Sequence, residues 1–292
     1  YSIMKNEEIT GADHIIYQND QYAIKQNDFT LSLGFIMHSN QIASLKDLPD
    51  TTRLDRQQQL FQSIFNSDEN LFVSYEPTSL FNLTYTPVEY YELTFPDSTA
   101  NGFIEYQIPV QGRQTLYFDC FDRLTNSLIE HINSSFSISV NGKLIQADYP
   151  SQLNNGLLNL GTFENQTVSI EVEVLKEVNA KSFGVAGLKE DVLQNAISKT
   201  QSANLKQVNN KLIGTADADS DDAYLFLPIT YDKGYTVTVN QKKADALCVF
   251  DSMMAVKLEK GKNEIAISYL PLGFQLGAFL SVVGGVLLLA FL

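Results

Sequence analysis

The residues best placed by type and spacing to do chemistry are the acids of DADSDD, at positions 217–222. Asp217, Asp219 and Asp221 match positions 1, 3 and 5 of a calcium loop, where alternating carboxylates converge on one hard cation. The pattern then fails: position 6 is Asp222 where the sharp turn needs glycine, and position 12 is Pro228 where a bidentate Glu is needed. An Asp-x-Asp pair also occurs in sugar-nucleotide transferases, but such a pair is frequent by chance. A solvated acidic turn between strands is the plainer reading. No metal site is therefore assigned, and Asp217, Asp219 and Asp221 stand only as weak candidates for a divalent cation.

Other reactive types are scattered. His14, His38 and His131 have no second His or Cys at metal-ligand spacing. The chain contains no nucleophile elbow, phosphate-binding loop or dinucleotide fingerprint. No catalytic residue and no cofactor-binding residue is assigned. Tryptophan is absent and tyrosine abundant, so the candidate platforms for the C–H face of a sugar ring are Tyr85, Tyr90, Tyr91, Tyr106, Tyr117, Tyr231 and Tyr235. Of these, Tyr231 and Tyr235 are taken as ligand-stacking candidates. The competing reading is that aromatic residues alternating along a strand pack against cross-strand neighbours.

Composition narrows the partners. The 292 residues carry 34 acidic against 20 basic side chains, a formal charge of −14. Such a field repels nucleic acid and anionic lipid headgroups and so disfavours a role tracking phosphates. Cys120 and Cys248 are the only cysteines, expected as two buried thiols in apolar strands, with a disulfide between them left open.

The elements that must position any site are mostly strands. Residues 1–87 read as a mixed α/β portion. Within it, HIIYQNDQYAIKQNDFTLSLGFIM alternates apolar and polar residues in two short runs split by Gln-Asn-Asp, which reads as a hairpin. An amphipathic helix is expected after the cap candidates Thr51 and Thr52, with Asp55 in its first turn. From 88 to 178 the period switches to two, and YYELTF, GFIEYQIPV, TLYFDCF, SFSISV and TVSIEVEVL are short strands separated by turn residues. That spacing predicts a β-sandwich or jelly roll. Leu188, Val192, Leu193, Ala196 and Ile197 share one helical face, so 179–205 is expected as a helical linker. A second β block is expected at 206–272. SISVNGK in the first block returns as TVTVNQK in the second, and each is followed some 25 residues on by another alternating strand. Duplication of a unit and two independent solutions to one packing problem both remain open.

Both ends of the chain also carry expectations. Tyr1 is not a start methionine and no signal peptide precedes the folded region, as expected of a piece of a longer protein. No charge follows Glu264, and the stretch 274–292, from Phe274 to Leu292, has only Gln275 and Ser281 as polar residues. At about 1.5 Å per residue it reaches roughly 28 Å, near the bilayer's hydrocarbon thickness of about 30 Å. A transmembrane helix over 273–292, cut within the span, is expected, with the bilayer as partner. The fold class is then mainly β: two β-sandwich or jelly-roll-like blocks, a small α/β N-terminal portion, a linking helix and one C-terminal membrane helix.

The segments AYLFLPITYDKGYTVTVN (223–240) and VFDSMMAVKLEKGKNEIAISYLPLGFQLGAFLS (249–281) resemble the C-terminal part of the YfhO family of bacterial multi-spanning membrane proteins. The family's Leu-Phe-x-x-Pro-x-x-Tyr-Asp-x-Gly-Trp core and its Tyr-x-Pro-x-Gly-Phe entry into the last membrane helix are kept in order. Tyr235 replaces Trp, and Gln241 replaces the turn glycine. IKQNDFTLSLGFIM (24–37) resembles an extended segment near the start of the family's exterior domain. The resemblance implies a parent similar to GT-C glycosyltransferases, which would use a lipid-linked sugar donor to decorate lipoteichoic acid or a related wall polymer outside the cell. Its catalytic acid would lie in an early exterior loop outside this chain. The present chain would then guide or bind the acceptor, facing outward from the bacterial membrane. The alternative is a non-enzymatic carbohydrate-binding or adhesive ectodomain with a single membrane anchor.

Overall fold

The computed structural model describes residues 2–6, 15–26, 30–45, 51–87, 91–122, 136–145 and 157–291. His14, His131 and Leu292 lie outside them. In the first third the chain forms β1 (Ser2–Lys5), β2 (Ile15–Gln18), β3 (Tyr22–Lys25), β4 (Phe35–His38), α1 (Ser39–Ser44), α2 (Arg53–Phe65), β5 (Phe72–Tyr75), β6 (Ser79–Phe81) and β7 (Thr84–Pro87). There follow β8 (Tyr91–Thr94), β9 (Gly102–Pro109), β10 (Arg113–Asp122), β11 (Phe136–Val140), β12 (Lys143–Leu144), β13 (Leu157–Glu164), β14 (Thr167–Val174), β15 (Val178–Lys189) and α3 (Glu190–Ser198). The last third holds β16 (Asn204–Val208), β17 (Lys211–Ala218), β18 (Ala223–Thr230), β19 (Tyr235–Val239), β20 (Lys242–Ala244), β21 (Ala246–Val249), β22 (Met253–Lys257), β23 (Gly261–Tyr269) and α4 (Phe274–Phe291).

Contacts divide the chain into two compact units, the first built from 1–29, 50–58 and 68–195, the second from 30–49, 59–67 and 196–292. In the first unit β1-β3-β2 form a small sheet, its hairpin closed by Asn19, whose Oδ1 accepts from the backbone N–H of Gln21 and Tyr22 at 2.9 and 2.8 Å. The rest of this unit is a sandwich. One sheet runs β13-β10-β15-β8-β7 with β5 also on β15, and the other runs β12-β11-β14-β9-β6. Alternate residues of both sheets enter one core, including Ile104, Tyr106, Ile138, Val168 and Ile170 from the second and Leu116, Phe118, Cys120, Leu158 and Phe183 from the first. The period of two that marked these strands in the sequence is this inward-facing set.

The second unit is also a sandwich, with β16-β17-β23-β19-β20 facing β21-β22-β18-β4. Ala216, Val237, Ile265 and Ile267 meet Ile36, Leu225, Met254 and Val256 in its core. The outer face of the four-stranded sheet carries Phe35, Met37, Phe226 and Ala255, which Ile42 of α1, Leu45 just after it and Leu60 and Ile64 of α2 cover. The protein is mainly β, as its alternation suggested.

The structure differs from three sequence expectations. Residues 178–189 are strand β15 instead of the start of a helical linker, and the helix is only Glu190–Ser198. Two glycines and a bulge interrupt β15's alternation and hide it. β4 belongs to the second sandwich through its pairing with β18, a contact between residues too distant in sequence for local patterning to show. Cys120 is buried but Cys248 is exposed, and no disulfide joins them. β21 carries Cys248 outward because the alternate residue Val249 takes the core position.

Among the described residues no helix is long and apolar enough to cross a membrane. The most apolar, α4, has 18 residues, about 27 Å of helix. Among the described residues none of its side chains enters a core cluster, and its large apolar residues, from Phe274 at 60 % to Phe291 at 90 %, are exposed.

Candidate functional site: a tyrosine-lined pocket at a split sheet edge

β15 pairs with β10 along one edge for almost its whole length, with a bulge at Lys181. Its other edge is shared. β8 pairs with residues 178–180 and β5 with residues 185–188, so 181–184 face neither strand. The gap opens into a pocket of about 370 Å³ in the first unit. At its base Gly184 has φ +130°, a conformation L side chains rarely adopt, and the Tyr106 hydroxyl lies 3.9 Å from where a Cβ would stand. The backbone conformation is what requires glycine here, while the Tyr106 side chain, only 1% exposed, lines the pocket from the core side.

Aromatic rings form one wall. Tyr85 of β7 and Tyr91 of β8 stack with centroids 5.5 Å apart, and each lies about one ring-width from Phe183, at 6.0 and 6.3 Å. Phe183 in turn packs edge-on against Phe118 at 5.3 Å, tying the wall to the sandwich core. On the opposite flank the Tyr75 hydroxyl donates to Gln114 Oε1 at 2.8 Å, and Gln114 Nε2 donates to the Gln111 carbonyl at 3.0 Å. Tyr75 is therefore fixed by a chain of hydrogen bonds before anything binds. Burial pushes the Tyr85 and Tyr106 phenols far above the ordinary range, and the negative charge of Glu76 adds to the effect. They remain protonated, available as hydrogen-bond donors.

The back of the pocket is built by α2. Its N-terminus is capped by Thr52, whose Oγ1 accepts from the Asp55 N–H at 3.3 Å and donates to Asp55 Oδ2 at 2.7 Å. The first residue of the helix, Arg53, donates from Nη2 to Asp119 Oδ1 at 2.6 Å. Burial raises the Asp119 carboxyl's pKa and the adjacent guanidinium opposes that rise. At the rim stand exposed Glu76 and Lys181, neither with a hydrogen-bond or ion-pair partner among the described residues. The pocket thus combines apolar ring faces, phenolic donors, one open carboxylate and one open ammonium.

The residues singled out from sequence lie elsewhere, in the second unit. The acidic turn between β17 and β18 spreads its carboxylates among separate partners. Asp219 Oδ1 is 2.9 Å from His38 Nε2, Asp222 Oδ2 accepts from Ser39 Oγ at 2.9 Å, and Asp221 Oδ1 accepts from the Lys260 N–H at 3.1 Å. Asp217 offers its carbonyl to Gln201 Nε2 at 2.6 Å. Among the described residues no three His, Cys, Asp or Glu side chains converge as metal ligands. Tyr231 is half-buried against the core, and Tyr235 packs on Tyr269 with centroids 4.7 Å apart. Tyr85, Tyr91 and Tyr106 of the wider tyrosine set do meet in the pocket. Tyr75, Glu76 and Lys181 carry no sequence signal, because β5 and β15 are brought together only by the fold.

The family model described as "Bacterial membrane protein YfhO" matches residues 2–281. Among curated proteins, the "Uncharacterized protein YfhO" of Bacillus subtilis (strain 168) is 32% identical over 96 residues, which cover 33% of this chain and 11% of that protein. The aligned part thus spans about a tenth of the relative's length. The range 2–281 includes the Pro-x-x-Tyr-Asp-x-Gly core and the Tyr-x-Pro-x-Gly-Phe run that leads into α4. The chain belongs to the YfhO family of bacterial membrane proteins.

Proposed function

We propose that this chain is the outward-facing part of a polytopic membrane glycosyltransferase that uses a lipid-linked sugar to decorate lipoteichoic acid or a related wall polymer, and that the chain guides the acceptor. The donor lipid and the catalytic acid belong to the rest of that protein. The observation that carries the reading is α4. In a family of membrane proteins, a helix with apolar residues on all sides and no core to pack on among the described residues has the bilayer as its natural cover. Leu270 and Leu272, also exposed just before it, lengthen the apolar run toward a full span. β23 leads into α4 through four residues, so a bilayer that covered α4 would lie close to the second sandwich. The tyrosine-lined pocket gives the first sandwich a means of holding a saccharide.

The test is an in-frame deletion of the first sandwich, residues 68–195, in the complete membrane protein. Wall polymer is then analysed by mass spectrometry for its sugar substituents, with membrane insertion checked in parallel. Loss of the substituents from a protein still present in the membrane is expected. Unchanged substitution would overturn the acceptor role.

A further inference from the structure

We propose that the pocket at the split edge of β15 binds one uncharged pyranose ring, with its C–H face on the tyrosine wall and its hydroxyls held between Glu76 and Lys181. The inference rests on the acceptor-guiding role and deepens it by naming the site and the chemistry it selects. Size points to a ring and not a polymer segment, since about 370 Å³ falls at the small end of the roughly 300–1,000 Å³ typical of small-ligand sites. Shape agrees, because Tyr85, Tyr91 and Phe183 form a continuous rigid wall anchored on Phe118. A rigid aromatic surface loses little side-chain entropy when a ligand covers it.

Charge decides between ligand classes. Arg53, the cation at the back, is already paired with Asp119. The open charges are therefore Glu76 and Lys181, which balance, while Asp55 tips the site negative. A phosphate would meet two carboxylates for one ammonium, whereas an ammonium ligand would meet Lys181. A hydroxyl-rich neutral ring suits both rim groups, since a sugar hydroxyl donates to a carboxylate and accepts from an ammonium. The Tyr106 phenol above Gly184 supplies a further donor at the pocket's base.

The experiment is saturation-transfer NMR on the detergent-solubilised full chain with three probes: methyl hexopyranosides, inorganic phosphate and tetramethylammonium. A hexopyranoside is expected to bind with a Kd of about 1 mM or tighter. Glu76→Gln and Lys181→Ala, at exposed positions where folding is unaffected, are each expected to weaken it about tenfold, a change of about 1.4 kcal/mol. Tyr91→Leu should abolish it. The proposal is overturned if no hexopyranoside binds, if all three variants bind like the parent, or if phosphate or tetramethylammonium binds more tightly. A lack of sugar binding alongside lost polymer substitution in the 68–195 deletion would remove this site while leaving the acceptor role standing.

Discussion

Asn141 and Asn240 do the same work in the two sandwiches. Asn141 follows β11, donates its N–H to the Ser169 carbonyl at 2.7 Å and accepts from the Ser169 N–H through Oδ1 at 2.9 Å. Asn240 follows β19 and makes the same two bonds with Glu264, both at 2.9 Å. Each residue also sits at positive φ, near 50°, and so starts a tight turn while clamping the hairpin to the neighbouring strand β14 or β23. The second turn residue differs: Gly142 at φ 75°, Gln241 at φ 65°. A side chain in the left-handed region costs about 1–2 kcal/mol, part of which glycine returns through its freer unfolded chain. Gln241→Gly is therefore expected to stabilise the second sandwich by about 0.5–1 kcal/mol in urea unfolding. Gly142→Gln should destabilise the first by about as much, by backbone strain alone, since a Cβ at Gly142 meets no neighbour within 4 Å.

Behind the pocket, Arg53 and Asp119 are both nearly closed off from solvent, with side chains 13% and 6% exposed. Removing one member of such a pair leaves the other charge buried without compensation, at a cost of about 3–5 kcal/mol. Arg53→Met is expected to lose that much at neutral pH. Because burial holds the folded Asp119 pKa above its ordinary 3.8, the protonated carboxyl is favoured in the fold. Its contribution is present below 3.8 and is lost as pH rises through the folded value. The Arg53→Met penalty should accordingly be smaller at pH 4 than at pH 7. The double variant Arg53→Met/Asp119→Leu should recover most of it.

The His38–Asp219 pair gives the second sandwich a pH response. The hydrogen bond in which the Asp219 carboxylate accepts from His38 Nε2 raises the His38 pKa above 6.5, and the same bond lowers that of Asp219. The histidine's contribution is full below 6.5 and is lost as pH climbs through its raised folded value. The aspartate's is present above its unfolded value and lost only in stronger acid. Thermal stability should thus fall modestly as pH rises from 6 to 8, because the pair is partly solvent-screened. His38→Gln or Asp219→Asn should flatten that slope. An unchanged slope in either variant would count against the pair as its source.

Exposed Cys248 reports topology. If the chain faces outward, a membrane-impermeant maleimide added to intact cells should label the parent protein, and Cys248→Ser should remove that signal. Buried Cys120 should react only after denaturation. Labelling confined to lysed cells would place the chain on the other side of the membrane.

What was legible in the sequence was local. The β2–β3 turn at Asn19, the alternating β9, β11 and β14, the Thr52 cap and the paired Asn turns all depend on residues within one or two elements. The pocket depends on four strands meeting at a single edge. Its central feature, β15 with a bulge at Lys181 and an unusual Gly184, breaks the periodicity by which a strand is recognised. Tyr231 and Tyr235 were candidates because an aromatic face can stack on a sugar ring. Their own positions are occupied by packing against the second core and against Tyr269. DADSDD looked like a ligand loop because spacing alone cannot show that His38 and Ser39, some 180 residues earlier, bond to two of its acids.

That last connection sets an order of assembly. The second sandwich needs β4, near the start of the chain, to lie beside β18, nearly two hundred residues later. The first sandwich has most of its strands within 68–195. As the chain emerges, the first can close while β4, with Phe35 and Met37, waits unpaired. Phe35, Ile36 and Met37 are thus without their sheet partner until β18 has been made. A helper protein that shields nascent apolar strands would find its first substrate there.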